Sequence, residues 1–418
     1  MVAVVWSRFQ LIVKEREMSV LDRFAGRMMD LDSHEMTPAH QWAKVFGPAA
    51  GLFADVFKAH HPDAPNTLNP SAERDDAPLE GATPEQIWMR GGYAPGSWDM
   101  GRRLEFMDHF GIERMLVFAT GPGGLGFICL CEPPLSLLQQ LAGDTDVDLS
   151  ALDLPAIGRM MCGLHNDWCI ETAKISDRLR PVASLDTSTL DGALAEVERI
   201  VAGGVRAVMA PSGVVPAGMS PGHPDLDPLW AVLAEHRVPF LLHVGGDFGL
   251  MASSTWPSYG VESNKVGTVL ASTELNLDPY SLAQMHVGVE HYLTAMICGG
   301  VFDRHPELVV GCIETAGYWV GPLARRLDGI AATLPKSLER KPSEYFASNI
   351  RATCFWWERV DLYIERDGLE DVYALGTDYP HFEGGMDPMT GHAQMLERLG
   401  PDVMEKFFVE NGRLLLPD

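Results

Sequence analysis

Short apolar runs alternate along this chain with stretches of helical periodicity. Eight runs stand out, near 27–32, 113–119, 180–185, 205–210, 238–243, 308–313, 350–355 and 372–377. Most are continuous rather than alternating, as expected of strands buried on both faces. Between them apolar residues recur three and four apart. Met100, Leu104 and Met107 share one helical face; Leu226, Leu229, Trp230 and Leu233 share a second; Leu323, Leu327 and Ile330 share a third. Strand alternating with helix predicts a parallel sheet, and eight such units close most simply into an α/β fold of the (β/α)8 TIM-barrel type.

Three stretches exceed a minimal unit: residues near 36–98 after the first strand, 120–160 after the second and 244–280 after the fifth. All leave the C-terminal strand ends, so they are expected as lids or oligomer contacts over one face. Residues 1–25 are expected to be an N-terminal extension, with Met18 and Met28 as alternative starts. Residues 26–418 are expected to form a single barrel domain.

The chain is 46% apolar, enough for a large core, and its net charge of −25 argues against nucleic acid or an anionic membrane as partner. A metal or one local arginine still permits an anionic substrate in a pocket. Seven cysteines without a Cys-x-x-Cys pair fit buried thiols in the reducing cytoplasm. No apolar run approaches the roughly 18 residues of a membrane span, and no secretory signal stands at the start. Gly-x-Ser-x-Gly and P-loop motifs are absent from the sequence.

The chemistry gathers at strand ends. Asp32 and His34 close the first strand, His243 closes Val-Pro-Phe-Leu-Leu, and Asp378 follows the last strand. Parallel barrel strands bring such ends to one mouth, where two imidazoles and two carboxylates suit a divalent metal. Each has an ordinary alternative: a turn for Asp-Ser-His, a hydrogen-bonded core histidine for His243, a helix cap for Asp378. Glu314 ends the sixth strand and offers a fifth ligand, a proton shuttle or an orienting group, against an ion pair under a helix start. His223, His286 and His381 are acid–base candidates on the same face. Arg90 and Arg103 could grip a carboxylate, although Arg103 reads better as a surface residue; Trp88 and Trp98 could wall a planar substrate. Gly121-Pro122-Gly123-Gly124-Leu125-Gly126 matches the dinucleotide pattern G-x-G-x-x-G. Pro133 and Pro134 follow it closely, so the glycines are expected in a loop over the mouth, with a nicotinamide-dependent oxidoreductase as a distant alternative.

The stretches Asp30-Leu31-Asp32-Ser33-His34, Gly300-Val301-Phe302-Asp303-Arg304-His305-Pro306-Glu307-Leu308 and Gly376-Thr377-Asp378-Tyr379-Pro380-His381, with Asn411, carry a family resemblance. Over residues 27–415 the chain resembles the amidohydrolase superfamily, in the branch of aminocarboxymuconate-semialdehyde decarboxylase and the resorcylate-type decarboxylases. The resemblance implies a barrel with one divalent metal, zinc or alternatively manganese, held by Asp32, His34, His243 and Asp378, with Asp378 doubling as acid or base. Two departures stand out. Some members carry His-x-His where this chain has Asp-x-His, and decarboxylases of the branch carry a histidine where Glu314 stands. The expected function is metal-dependent C–C bond cleavage of a small aromatic or unsaturated carboxylic acid, by decarboxylation or hydrolysis. Hydrolysis of an amide, ester or lactone is the alternative. Glu314, His286 and His381 join Asp378 as catalytic candidates, and Arg90, Trp88 and His223 as substrate-binding candidates, in a dimer.

Overall fold

Parallel strands form the staves of a barrel in the computed structural model, which describes residues 18–60, 78–82, 87–88, 91–135, 148–247, 279–334, 338–381 and 383–418. Among these, β1 (Met28–Asp30), β2 (Ile112–Val117) and the first part of β3 (Leu179–Pro181) pair in order. The second part of β3 (Ala183–Ser184) continues through β4 (Val208–Met209), β5 (Phe240–His243), β6 (Val310–Ile313), β7 (Ile350–Thr353) and β8 (Tyr373–Ala374). Every pairing is parallel. Just beyond the ladders the seam between β8 and β1 closes: Leu31 N–H donates to Leu375 O at 2.9 Å, Asp378 N–H to Asp32 O at 2.7 Å and His34 N–H to Tyr379 O at 2.7 Å. The predicted barrel is the observed one.

Two cores lie on the two faces of the staves. Met29, Leu31, Leu116, Phe118, Val182, Met209, Leu241 and Ile313 fill the interior. Met28, Ile112, Met115, Phe240, Leu242, Val310 and Cys312 face the outer helices. Leu415 and Leu416 belong to the inner cluster, so the C-terminal turn plugs the barrel. Arg114 holds this plug through Leu416 O at 3.2 Å, and Asn411 donates to Tyr373 O at 2.8 Å. Phe24 packs on Phe408 with ring centroids 5.1 Å apart, tying the turn before β1 to the same end of the chain. Helices Met100–Phe110, Asp227–Glu235 and Val320–Ala331 occupy the three periodic stretches read from the sequence.

The glycine motif requires a correction. Residues Pro122–Leu130 are helical, not a loop over the mouth. Pro122 opens the helix, where its missing N–H is no loss, and the chain leaves it at Cys131, before Pro133. An all-round apolar helix shows no 3.6-residue stripe, so periodicity could not reveal it. Its glycines serve close packing on helix Leu154–Ala173: a Cβ on Gly123 would lie 2.5 Å from the His165 ring, and one on Gly126 2.7 Å from Met161 Cβ.

Gly163, in the facing helix, meets nothing within 4 Å of a built Cβ. Gly123→Ala should therefore destabilise the fold by about 1–3 kcal/mol through overpacking. Gly163→Ala should instead stabilise it by about 0.5–1 kcal/mol through helix propensity. Urea midpoints of the two variants check this opposition of sign.

Candidate metal centre

The strand-end residues converge. Two overlapping donor sets form at the barrel mouth, Asp32, His34, His243 and Glu314 in one, and His34, Glu314, Asp378 and His381 in the other. All six residues are buried.

Local backbone aims them. On β6, Val310 and Cys312 face the helices while Ile313 faces the interior, so strict alternation would send Glu314 outward. Its φ of +53° breaks the alternation; Asp378 is likewise left-handed at +54°. Such conformations in non-glycine residues are strained and gather at functional sites. On β1, Leu31 faces inward, and the turn beyond it is set by Asp30. The Asp30 carboxylate accepts from Asp32 N–H at 3.2 Å, Thr377 N–H at 3.0 Å and the Thr377 hydroxyl at 2.6 Å. Burial nevertheless pushes its pKa up to about 7. The buried Arg103 braces this turn from beneath, donating to His34 O at 2.6 Å and Ser33 Oγ at 3.1 Å. It is therefore a core residue, not the surface residue read from the sequence.

His34 Nε2 lies 3.5 Å from Asp32 Oδ1, 3.8 Å from Glu314 Oε2 and 3.5 Å from Asp378 Oδ1; His243 Nε2 lies 3.7 Å from Asp32 Oδ1 and 3.4 Å from Glu314 Oε2. These spacings are too long for good hydrogen bonds. They match the edge of roughly 3.4 Å expected between ligands in a tetrahedral shell with bonds near 2.1 Å. Asp32 Oδ1, His34 Nε2, His243 Nε2, Glu314 Oε1 and both Asp378 oxygens are buried without a hydrogen-bond partner. Six orphaned polar atoms at one point would be prohibitive unless a cation fills the gap. The imidazoles are turned suitably: His243 Nδ1 lies 3.1 Å from Val244 O, which fixes its proton there and leaves the Nε2 lone pair facing inward. The residues present thus fit a divalent metal.

The electrostatics agree. Burial holds the Glu314 carboxyl well above its ordinary range, and the Asp378 and Asp32 charges add to this. Burial likewise raises Asp378 well above its ordinary range, against the lowering effect of His381. For Asp32 burial also acts upward, but His243 and His34 outweigh it and its pKa is lowered. Burial, then the His381 charge, lowers the His34 pKa well below its usual value. The imidazole is thereby kept neutral, as a ligand must be.

The other expected residues fall elsewhere. His381 joins the cluster, its Nδ1 2.9 Å from Asp378 Oδ1 and its ring stacked on His34 with centroids 3.9 Å apart. His286 is outside both donor sets, with Nδ1 3.0 Å from the Tyr318 hydroxyl and Nε2 3.4 Å from Glu290 Oε2. His223 is 47% exposed in its side chain and caps a short turn through Asp225 N–H. Trp88 is buried edge-on against Phe106, Phe110 and Tyr379, a core position. Arg90 lies outside the described residues. Sequence reasoning missed Glu35 and Thr120. Glu35 accepts from Gly121 N–H at 3.0 Å and Thr120 N–H at 3.2 Å, so a carboxylate already occupies amides of the glycine motif where a phosphate would sit. The pairing spans 86 residues, and no local signal announces it.

The sequence profile of a protein family described as amidohydrolase matches residues 150–417, more than half of the chain. The chain belongs to the amidohydrolase family. Asp32 and His34 precede the matched stretch, yet they meet its His243, Glu314 and Asp378 at the mouth. Similar solved structures include an amidohydrolase from Mycobacterium avium subsp. paratuberculosis K-10, at 20% identity over 93% of this chain and 99% of that one, with a TM-score of 0.62. A 5-carboxyvanillate decarboxylase from Novosphingobium aromaticivorans DSM 12444, complexed with manganese and 4-hydroxy-3-methoxy-5-nitrobenzoic acid, matches at 17% identity over 94% and 97%, with a TM-score of 0.54. A dihydroxybenzoic acid decarboxylase from Polaromonas sp. JS666, with bound manganese and 2-nitroresorcinol, matches at 17% identity over 93% and 96%, with a TM-score of 0.51. At these identities the likeness is one of fold. No curated protein matches the chain. This amidohydrolase, with its buried His/Asp/Glu donors, is a metal-dependent enzyme.

The purified protein should carry one divalent ion per chain. His34→Ala and Glu314→Ala should lose it on dialysis, whereas His165→Ala, outside both donor sets, should keep it. Elemental analysis reads the difference. Stripping the ion should also lower the melting temperature, since ligand at 100 times its Kd contributes about 2.7 kcal/mol to the native state.

Proposed function

We propose that this amidohydrolase cleaves the C–C bond of a small aromatic carboxylic acid by non-oxidative decarboxylation. The observation that carries this reading is Asp378, a buried carboxyl at the edge of the donor set, 3.5 Å from His34 Nε2 and 2.9 Å from His381 Nδ1. Such a group can hand a proton to carbon in a dry site. Apolar side chains surround the mouth: Phe118 lies 4.4 Å from the His243 ring between centroids, and Met285, Ala316 and Phe355 form a second cluster beside Val244 and Tyr318. These walls suit a planar ring and exclude water from a developing carbanion. The fold it shares with manganese-containing decarboxylases supports the same reading.

Asp32, His34, His243 and Glu314 would hold a divalent metal, which would supply Lewis-acid charge for the reaction. Asp378 would serve as the acid, its proton going to the ring carbon as the C–C electron pair is left behind and carbon dioxide departs. His381, 2.9 Å from Asp378 Oδ1, then steadies the carboxylate that remains. Two carboxylates beside two imidazoles make a mixed oxygen and nitrogen donor set that suits manganese or zinc. Seven free cysteines fit a reducing compartment such as the cytoplasm. Among the described residues no helix is long and apolar enough to cross a membrane.

A panel of hydroxylated and methoxylated benzoic acids, assayed for carbon dioxide release with manganese- and zinc-loaded enzyme, tests the proposal. Turnover should require metal and fall by about 100- to 10,000-fold in Asp378→Asn. Hydrolysis of amide, ester or lactone substrates without carbon dioxide release would replace decarboxylation with the hydrolytic reading.

A further inference from the structure

The loop that follows β6 carries two left-handed residues, Glu314 at φ +53° and Ala316 at φ +59°. Neither is a glycine. Each such conformation costs free energy and persists only where the surroundings over-determine it. Four side chains do so here. Thr353 Oγ1 accepts the Glu314 N–H at 2.9 Å. The Trp319 indole N–H is shared between Thr315 O at 3.0 Å and Ala316 O at 2.8 Å. Gly317 is held on both sides: its N–H donates to Glu358 Oε1 at 3.0 Å and Oε2 at 3.2 Å, and its carbonyl accepts the Tyr373 hydroxyl at 3.0 Å. The fit is close, since a Cβ on Gly317 would lie 2.2 Å from Cys354 Sγ.

Glu358 stands apart in this group because it joins two loops. Its buried carboxylate, from the loop after β7, also accepts the Phe355 N–H at 2.9 Å and the Tyr363 hydroxyl at 3.3 Å. A carboxylate accepts on both oxygens, so it can take all these donors at once. An amide of the same shape cannot: its NH2 end would face the Gly317 or the Phe355 N–H, whichever way it turned. The Gly317 N–H belongs to the peptide that links it to Ala316, so fixing that N–H fixes the left-handed turn at Ala316.

We propose that Glu358 is a positioning residue: by holding the Ala316–Gly317 peptide, it keeps the loop in the turn that aims Glu314 into the metal site. This rests on the reading of Glu314 as a metal ligand. Without the carboxylate, Ala316 relaxes toward an ordinary negative φ, and Glu314, two residues back, loses its aim. The relation makes a specific demand on Ala316. Glycine adopts positive φ at no steric cost, so Ala316→Gly should lessen the need for the clamp.

Zinc affinity, read by competition with a chromophoric chelator, tests this without a substrate. Glu314→Ala sets the scale for losing the ligand. Glu358→Gln should weaken zinc binding about 10- to 100-fold, and Ala316→Gly added to it should recover most of that loss. Gly123→Ala, which loosens the fold outside both donor sets, should leave zinc affinity unchanged. A merely structural Glu358 would lower the melting temperature of the metal-free enzyme, with neither the weaker binding nor the rescue. Wild-type zinc affinity in Glu358→Gln, a loss that Ala316→Gly does not recover, or an equal loss in Gly123→Ala overturns the proposal while Glu314 remains a ligand. Undiminished zinc binding in Glu314→Ala removes the ligand reading, and this proposal with it. If Glu358→Gln does not fold, Glu358→Asp, which draws the carboxylate back by one methylene, decides by the same two readings.

Discussion

Three carboxylates, Asp32, Glu314 and Asp378, are buried around one point with oxygens that nothing in the protein hydrogen-bonds. Like charges in low dielectric repel strongly, and burial alone already opposes their ionisation. A divalent cation offsets that repulsion, because its charge opposes theirs. The strained backbone at Glu314 and Asp378, the inward lone pair of His243 and the lowered pKa of His34 all fit a site for that cation. The fold supplies the counter-force that keeps the donors together when it is absent.

That force comes from the seam where the barrel closes. β1 and β8 are the first and last staves, and their contact closes the barrel. Asp30 bonds both Thr377 and the backbone of Asp32, and Asp378 N–H reaches Asp32 O. Closing the barrel and assembling the donors are therefore one event. Arg103 beneath His34, and Gly121 through Glu35, brace the same turn from two further segments. In the stretch from Asp30 to Glu35, Asp32 and His34 face the metal site, while Asp30, Ser33 and Glu35 bind neighbouring segments.

Much of this was legible in the sequence. Eight apolar runs foretold the staves, since strands buried on both faces carry no polar alternation to confuse their reading. Asp32, His34, His243 and Asp378 stood out because a polar residue ending such a run projects toward the mouth. Glu314 was visible as a strand-end carboxylate, but nothing local tells that its φ is positive and that it turns inward. Residues acting through partners far along the chain left no trace: Thr120 meets His381 across 261 positions, and Arg103 meets His34 across 69. Composition also misled in places. Arg103 looked like surface and is core; Trp88 looked like a substrate wall and packs beneath Tyr379; His223 caps an exposed turn. The motif around Asp303, Arg304 and His305 holds the fold, with Arg304 and His305 both paired to Asp227.

The central claim is that Glu314 joins Asp32, His34 and His243 around a single ion. Diffraction from crystals of the purified protein, at the absorption edge of the ion it carries, tests this most directly. The account predicts one anomalous peak about 2.0–2.3 Å from His34 Nε2, His243 Nε2 and oxygens of Asp32 and Glu314. A peak elsewhere, a site in which Glu314 stands clear of the ion, or no peak after reconstitution with zinc and manganese would contradict it.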